Sequence, residues 1–352
     1  MQKLVEVVPN FSEGRRPEVV DRLSAAIGAT PGVHLLDRTS DPSHNRSVLT
    51  LAGPRAAAVE AMERAIGVAI STIDMTRQTG EHPRIGAVDV IPFVPLGETT
   101  MAEAVELARS FGARIAERFS LPVYLYALAA TRPDRVRLAD VRRGQFEGLR
   151  TEIALPDRVP DFGPARIHPT AGAVAVGARP FLIAYNINLA TTDVELAKRI
   201  ARTNRESGGG LPAVQANGFW IEELGRAQVS MNLLDHTATP LWRVWEAVQA
   251  EAATAGVRPV ESELIGLAPI AAFLAVADHA GTPTGQPVEE RLAAAAAFLR
   301  LRDFSPLQAL ELRLAAAAAD RGAPASGATG PTSGASGRAP RNASGGNRGP
   351  AR

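Results

Sequence analysis

Apolar and polar positions alternate with two different periods along this chain, and the switches between them mark its elements. Residues 4–9 are a short apolar run that reads as a strand, and 16–27 carry helical spacing. β-Branched runs at 33–37 and 47–52 predict two more strands, and the amphipathic stretch 55–73 predicts a long helix. Residues 88–94 (VDVIPFV) read as a strand. Thr100 and Glu103 have the spacing of a capping box and open a helix to about residue 119. A strand at 122–128 and a helix over 139–153 close the first half.

The second half repeats that order. A strand at 181–189 is followed by Thr192 and Glu195, a second capping-box spacing, opening a helix that stops at Gly208, Gly209 and Gly210. Strands at 214–222 and 227–234 are joined by a turn at Leu224 and Gly225. A helix over 241–253 starts beside Pro240, and 260–265 is a strand. Each half reads strand, helix, strand, strand, helix, strand, the order of a split βαβ unit. The predicted fold class is therefore α+β, with two similar subdomains (duplicated βαββαβ). Two Ala-rich helices follow, 287–302 and one opened by Ser305 and Pro306, with faces suited to the body or to a second subunit. From Arg321 onward there is no Val, Ile, Leu, Met, Phe, Trp or Tyr, so a disordered tail is expected. The expected division is 1–178, 179–285, a helical extension at 286–320 and the tail at 321–352.

Charge narrows the function classes. The whole chain has a net charge of +1, and five arginines without an acid lie in the tail, so the body carries −4. Such a body neutralises nucleic-acid phosphates poorly, and aromatic residues for base stacking make up only 5%. Cysteine is absent, which excludes disulfides, thiolate catalysis and Cys-bound zinc. No apolar run reaches the ~18 residues of a membrane span, and the start lacks a signal-peptide pattern, so a cytoplasmic protein is expected. Phosphate-loop, dinucleotide-turn, HExxH and GxSxG motifs are missing, and no metal site is predicted.

The unexplained residues fall in polar loops. Between the long helix and the strand at 88–94 lies Gly80-Glu81-His82-Pro83-Arg84-Ile85-Gly86. Its glycines and proline set a special backbone path around one imidazole, which can accept and donate a proton near neutral pH. A surface histidine in a turn fits the same spacing. A second segment, Asp161 to Gly172, contains Gly163, Pro164, Ala165, Arg166, Ile167, His168, Pro169, Thr170, Ala171 and Gly172. It is read as joining the two halves, where clefts bind ligands, or as a plain linker. A third runs from Asp37 to Ser47 and offers Asp41, His44, Asn45 and Arg46, with turn capping as the alternative role of Asp41 and Asn45. Alternation places Asn186 and Asn188 on one strand face and Gln228, Ser230 and Asn232 on another. Paired, they would make a wall of amides suited to a heterocycle, or a solvated sheet face.

Several blocks taken together resemble the formiminotransferase family: VPNFSEGR, LLDRTSDPSHNRSV, GEHPRIGAVDVIPFVP, ADVRRGQFEGL, PDFGPARIHPTAGAVAVGARPFLIAYNINL and RAQVSMNL. The match runs from Leu4 to about Ala268. The resemblance implies two ferredoxin-like subdomains with folate bound between them, and no cyclodeaminase half. It implies transfer of the formimino group from N-formimino-L-glutamate to N5 of tetrahydrofolate, in histidine degradation. Formyl transfer from 5-formyltetrahydrofolate and non-catalytic folate binding are the alternatives. By the resemblance His82 is the general acid/base, Gly163–Gly172 the folate-binding segment, tetrahydrofolate the co-substrate and a homodimer the assembly. Arg46, Arg84, Arg166 and Arg179 are possible partners for the glutamate carboxylates. Asn186, Asn188 and Gln228 are possible partners for the pterin edges. One departure stands out: a position that is acidic in some members is Thr39 here, with Asp41 nearby. Either Asp41 substitutes for it, or turnover is slower.

Overall fold

The computed structural model describes residues 3–322. The first lobe contains strands β1 (Lys3–Val7), β2 (Asn10–Phe11), β3 (His34–Asp41), β4 (Arg46–Pro54), β5 (Val88–Gly97), β6 (Val123–Ala127) and β7 (Val174–Ala178). Its helices are α1 (Pro17–Gly28), α2 (Arg55–Thr72), α3 (Met101–Phe119), α4 (Leu138–Val141) and α5 (Gln145–Glu152). The second lobe contains β8 (Ile183–Leu189), α6 (Val194–Asn204), β9 (Val214–Ile221), β10 (Arg226–Leu233), α7 (Leu241–Thr254) and β11 (Pro259–Ile265). Then follow α8 (Ile270–His279), α9 (Val288–Leu299) and α10 (Leu310–Gly322).

In the first sheet β3, β4, β1 and β5 lie side by side, all antiparallel. The second sheet runs β11-β8-β10-β9, again antiparallel. Within each half, the βαββαβ strands therefore lie in the order fourth, first, third, second. The first sheet departs by extension: β7 adds to β5 in parallel, and β6 adds to β7 in parallel. A parallel pair needs a long crossover, and α3 occupies the one between β5 and β6.

Alternation decides which side of each sheet is apolar. Val5 and Val7 of β1 and Leu49 and Leu51 of β4 face α1, α2 and α3 and meet Leu23, Ile27, Met62, Ile66 and Phe111 in the main core. Phe93 and Phe111 pack edge to face, with ring centroids 5.2 Å apart. Rings buried this fully contribute roughly 3–5 kcal/mol each. The second core is built likewise from Tyr185, Ile187 and Leu189 of β8 against Leu196, Ile200, Val244 and Val248. The other residues of the first sheet, Glu6 on β1 and Arg46 and Thr50 on β4, lie on its opposite face. One end of that face is covered by α4 and α5 (Val141 and Leu149 over Tyr124 and Tyr126). The other end carries α10, whose Leu310 and Leu314 join Leu36, Ala52 and Leu96. Arg313 of α10 also donates to the Leu36 carbonyl at 2.7 Å. The helical extension thus packs back onto the body.

Several readings need correction. The helix over 139–153 is two helices, broken where Gly144 takes φ +75°. Residues 174–178 are a strand of small, wholly buried residues with no polar alternation to reveal it. Because β7 lies between β5 and β6 in the first sheet, the segment 163–172 lies inside the first lobe and does not join the halves. Helix α8 carries no side-chain cap at its start, so no capping signal in the sequence marks it. Finally, Asp193 rather than Thr192 caps α6, accepting from the Leu196 amide at 2.9 Å. The Thr100–Glu103 box is formed in both directions. Helix α10 runs to Gly322, and the rest of the tail reading lies outside the described residues.

Candidate functional site

The loops that look unrelated along the chain are tied together at one end of the first sheet. Ser12 donates its hydroxyl to the Gly86 carbonyl at 2.7 Å. Glu13 accepts from the Arg15 and Arg16 amides, both at 2.9 Å, which opens α1. Asn45 ties its own loop to two others: its Oδ1 accepts from the Gly14 amide (2.9 Å), its Nδ2 donates to the Thr79 carbonyl (2.8 Å), and its carbonyl accepts from Gln78 (3.1 Å). It does so with φ +48°, a conformation that asparagine tolerates well. The resulting cleft is lined by Phe11, Ser12, His44, Asn45, Arg46, Gln78, His82, Arg84 and Asp89.

His82 is half-buried at this cleft. Its Nε2 lies 2.8 Å from an Arg46 guanidinium nitrogen. Arginine only donates, so Nε2 accepts and the ring is neutral with its proton on Nδ1. Burial, then the positive charges of Arg46 and Arg142, push the imidazole down to about 3. His44 stands beside it, its ring centroid 6.1 Å away and edge-on. Asp41 clamps His44, accepting from the ring Nδ1 at 2.6 Å and from the backbone amide at 2.9 Å. The Asp41 carboxyl is held below its ordinary range: its hydrogen bonds from His44 outweigh the opposing effect of burial. Thr39 sits exposed in the β3–β4 ladder opposite Val48.

The segment Gly163–Gly172 is sewn to the His82 loop at both of that loop's ends. Thr170 accepts from the Met75 amide at 2.7 Å, and Ala171 from the Ala87 amide at 2.9 Å. Ile85 accepts from the Ala173 amide at 2.9 Å. His168 is occupied within its own turn, where its Nδ1 accepts from the Ala171 amide at 3.0 Å and its backbone pairs with Gly172. Gly163, Ala165, Arg166 and Pro169 are exposed, while Pro164, Ile167, His168 and Thr170 are half-buried.

The arginines divide by what already occupies them. Arg84 is buried and fully used, with Gln78, Gln145 and both oxygens of Glu147 as partners. It braces the His82 loop against α5 and is not free for a substrate carboxylate. Arg179 donates to the Pro180 carbonyl at 3.0 Å and lies beside Glu6 and Tyr126 on the open sheet face. Asn186, Asn188 and Gln228 lie in the second lobe, and their amides are taken. Asn186 donates to Glu263 at 2.9 Å, Asn188 to Glu261 at 3.1 Å, and Gln228 to Asn188 at 2.9 Å. Arg302 pairs with Glu263. The wall of amides exists, but its hydrogen bonds close on strand β11.

Sequence reasoning missed Arg142 and Asp89. They form an ion pair next to the cleft, and Asp89 also accepts from the Ile85 amide at 2.9 Å. The signal is present in the sequence as an acid inside an otherwise apolar strand (VDVIPFV), where it reads as part of the strand alone. A larger cleft lies around Tyr124, Arg135, Asp157 and Arg158. Its arginines Arg135 and Arg143 are matched by Asp161 and Asp157, and no histidine lines it. Among the described residues no cluster of three or more His, Cys, Asp or Glu is placed to hold a metal. No described helix is long and apolar enough to cross a membrane.

Comparison with known proteins bears on the same residues. The family model described as the formiminotransferase domain, N-terminal subdomain, matches residues 4–179, and that described as the formiminotransferase domain matches 184–305. Glutamate formimidoyltransferase of Streptococcus pyogenes serotype M1 is 46% identical over 279 residues, covering 79% of this chain and 93% of that protein. The Thermoplasma acidophilum protein of the same name is 48% identical, covering 78% and 91%. Formimidoyltransferase-cyclodeaminase of Mus musculus is 46% identical over 78% of this chain, which spans 52% of that protein. The chain belongs to the formiminotransferase domain family.

Proposed function

We propose that this protein transfers the formimino group of N-formimino-L-glutamate to N5 of tetrahydrofolate, releasing L-glutamate. The reading rests on one observation above others: the segment 163–172 is hydrogen-bonded to both ends of the loop that carries His82 into its cleft. The names of the similar proteins agree with it. In this reading N5 attacks the amidine carbon, a tetrahedral intermediate forms, and the carbon–nitrogen bond to glutamate breaks. The proton lost from N5 ends on the departing amine. His82 takes the first proton and returns it, a role worth roughly 10²–10⁴ in rate. Holding both substrates in the cleft supplies a further large effective molarity. No metal or resident cofactor enters these steps; tetrahydrofolate is a co-substrate.

The segment Gly163–Gly172 is assigned to folate, and Asp41 and His44 to the edge of the donor site. We assign the two lobes, 1–178 and 179–285, to copies of one ferredoxin-like unit, supported by their common strand order. A cytoplasmic homodimer whose partners are small molecules, with no nucleic acid and no membrane, completes the reading. The test is direct. The purified protein is incubated with tetrahydrofolate and formiminoglutamate while glutamate release is followed. Release that requires both substrates is expected, and none would overturn the assignment. A parallel arm with 5-formyltetrahydrofolate and glutamate separates formyl from formimino transfer.

A further inference from the structure

His82 is the base this reaction needs, yet its usable nitrogen is occupied. Nδ1 is shut away from solvent, so it cannot reach a substrate. Nε2 is the remaining lone pair, and Arg46 donates into it at 2.8 Å. An imidazole held this way cannot accept a proton from an attacking amine.

Arg46 is itself short of an anion. Alternation along β4 puts it on the open face of the sheet, at the strand's first position. The two nearby carboxylates are committed: Asp89 to Arg142 and the Ile85 amide, Asp41 to His44. The Arg46 Nε is buried without a partner. Arg142 adds a second positive charge beside it, and Arg84 is neutralised by Glu147. The groups facing the His82–Arg46 contact are thus Arg142, His44, Asp41 and Asp89, and both carboxylates are bonded to partners other than Arg46. A carboxylate engaging a guanidinium in the two-toothed manner uses Nε and one terminal nitrogen.

We propose that Arg46 is a carboxylate-operated latch on His82: a carboxylate of the formimino donor draws the guanidinium off Nε2 and frees that lone pair for proton transfer. The latch rests on the transfer reading above, and it explains how the site stays idle until the donor is in place. Before binding, the guanidinium holds the base closed. After binding, its charge is offset by the carboxylate and its hydrogen bonds are turned to the ligand. Both changes make the imidazole more basic. Arg46 is a positioning residue in this scheme, acting through His82.

The experiment follows the ring itself. Only six histidines are present, so ¹⁵N-histidine labelling of the whole protein gives a resolvable spectrum, with His82 assigned through His82→Gln. Without ligand, His82 is expected as the neutral Nδ1–H form, with its midpoint well below pH 5 and followed down to the acid limit of the folded protein. Saturating L-glutamate, which carries the donor's carboxylates, is expected to raise its midpoint by about one unit or more, tenfold in proton affinity. In Arg46→Met the midpoint is already raised without ligand and glutamate no longer moves it, while Arg46→Lys retains part of the response. Tetrahydropteroate and tetrahydrofolate form a second pair of arms. A midpoint moved by tetrahydrofolate alone, and not by glutamate or tetrahydropteroate, would assign the latch to the folate's own glutamate tail and overturn the donor assignment. A His82 midpoint unmoved by glutamate that is bound by calorimetry overturns the latch, as does an Arg46→Met ring that titrates like the parent. Catalysis is scored separately. Transfer with an unresponsive ring sinks the latch alone, and a responsive ring without transfer sinks the proposed function alone.

Discussion

Gly86 and Gly172 face each other across an antiparallel bridge, and neither has room for a β-carbon. A methyl at Gly86 would strike the carbonyls of Ala173 and Ala171, and one at Gly172 the carbonyl of Ile85. This pair is where the His82 loop and the segment 163–172 are joined. The close approach sets the spacing between these two segments.

Gly172→Ala is therefore expected to damage both stability and binding. Gly172 has φ +74°, a conformation that costs an alanine about 1–2 kcal/mol before any clash is counted. The backbone must also move away from Ile85. A drop in thermal midpoint together with weakened folate binding is the expected outcome, measured by calorimetry on the purified variant. A substitution at Gly209, where a β-carbon meets open space, serves as the control for φ alone. Equal effects at both positions would show that the bridge has no special part in the site.

His82 carries two separable predictions. His82→Ala should lower kcat by a factor of about 10²–10⁴ and leave folate affinity near that of the parent. Near-normal turnover would remove His82 from the chemistry. The second concerns acid stability. The folded imidazole lies near 3, against an ordinary value of 6.5 in the unfolded chain. Between these values the unfolded state binds more protons, so stability is full above about pH 6.5 and declines as pH falls toward 3. His82→Gln should make this part of the acid limb shallower, as read from urea midpoints between pH 7 and pH 4.

How far the site can be read from residue order depends on the kind of signal each part leaves. Residues of the His82 loop stand out because two glycines and a proline set a special backbone path around an imidazole, and the resemblance to a known family separates them from an ordinary surface turn. Strand β7 leaves none: a short run of Ala, Val and Gly buried on both faces looks like linker. Without that strand, the segment 163–172 reads as lying between the lobes instead of inside one. The amides of β8 and β10 do share one polar face, as their alternation indicates. Their partners on β11 lie more than 70 residues away from Asn186 and Asn188, beyond any local pattern. Arg84 looks like a substrate ligand in the sequence because the chain order gives no hint that Gln145 and Glu147 fold over it.

That polar face leads to a prediction opposite to a pterin-binding role. Arg302 pairs with Glu263 and lies 3.9 Å from Glu261, and these carboxylates accept from Asn186 and Asn188. Arg302→Met leaves two neighbouring carboxylates without a cation, which is expected to destabilise the second lobe by about 1–3 kcal/mol. Folate affinity should stay unchanged at temperatures where the variant is folded. A variant of parental stability with weakened folate binding would show that the ladder serves the ligand.

Glu6 offers the sharpest test of the open sheet face. Its carboxyl is buried on β1 with one oxygen unpartnered, and burial pushes it up to about 8. Arg179 opposes the shift and Glu311 of α10 reinforces it. An acid raised in this way is protonated in the folded state at pH values where the unfolded chain has lost the proton. Its contribution to stability is full below about pH 4.5 and is lost as pH rises through 8. Glu6→Gln replaces the acid by a neutral group of the same shape and removes the dependence. The variant should match the parent near pH 4.5 and exceed it at pH 8 and above, in thermal midpoint and in urea midpoint alike. Should the parent hold the advantage at pH 8, Glu6 would have to be ionised and paired with Arg179, and the open sheet face would carry one more anion than its burial indicates.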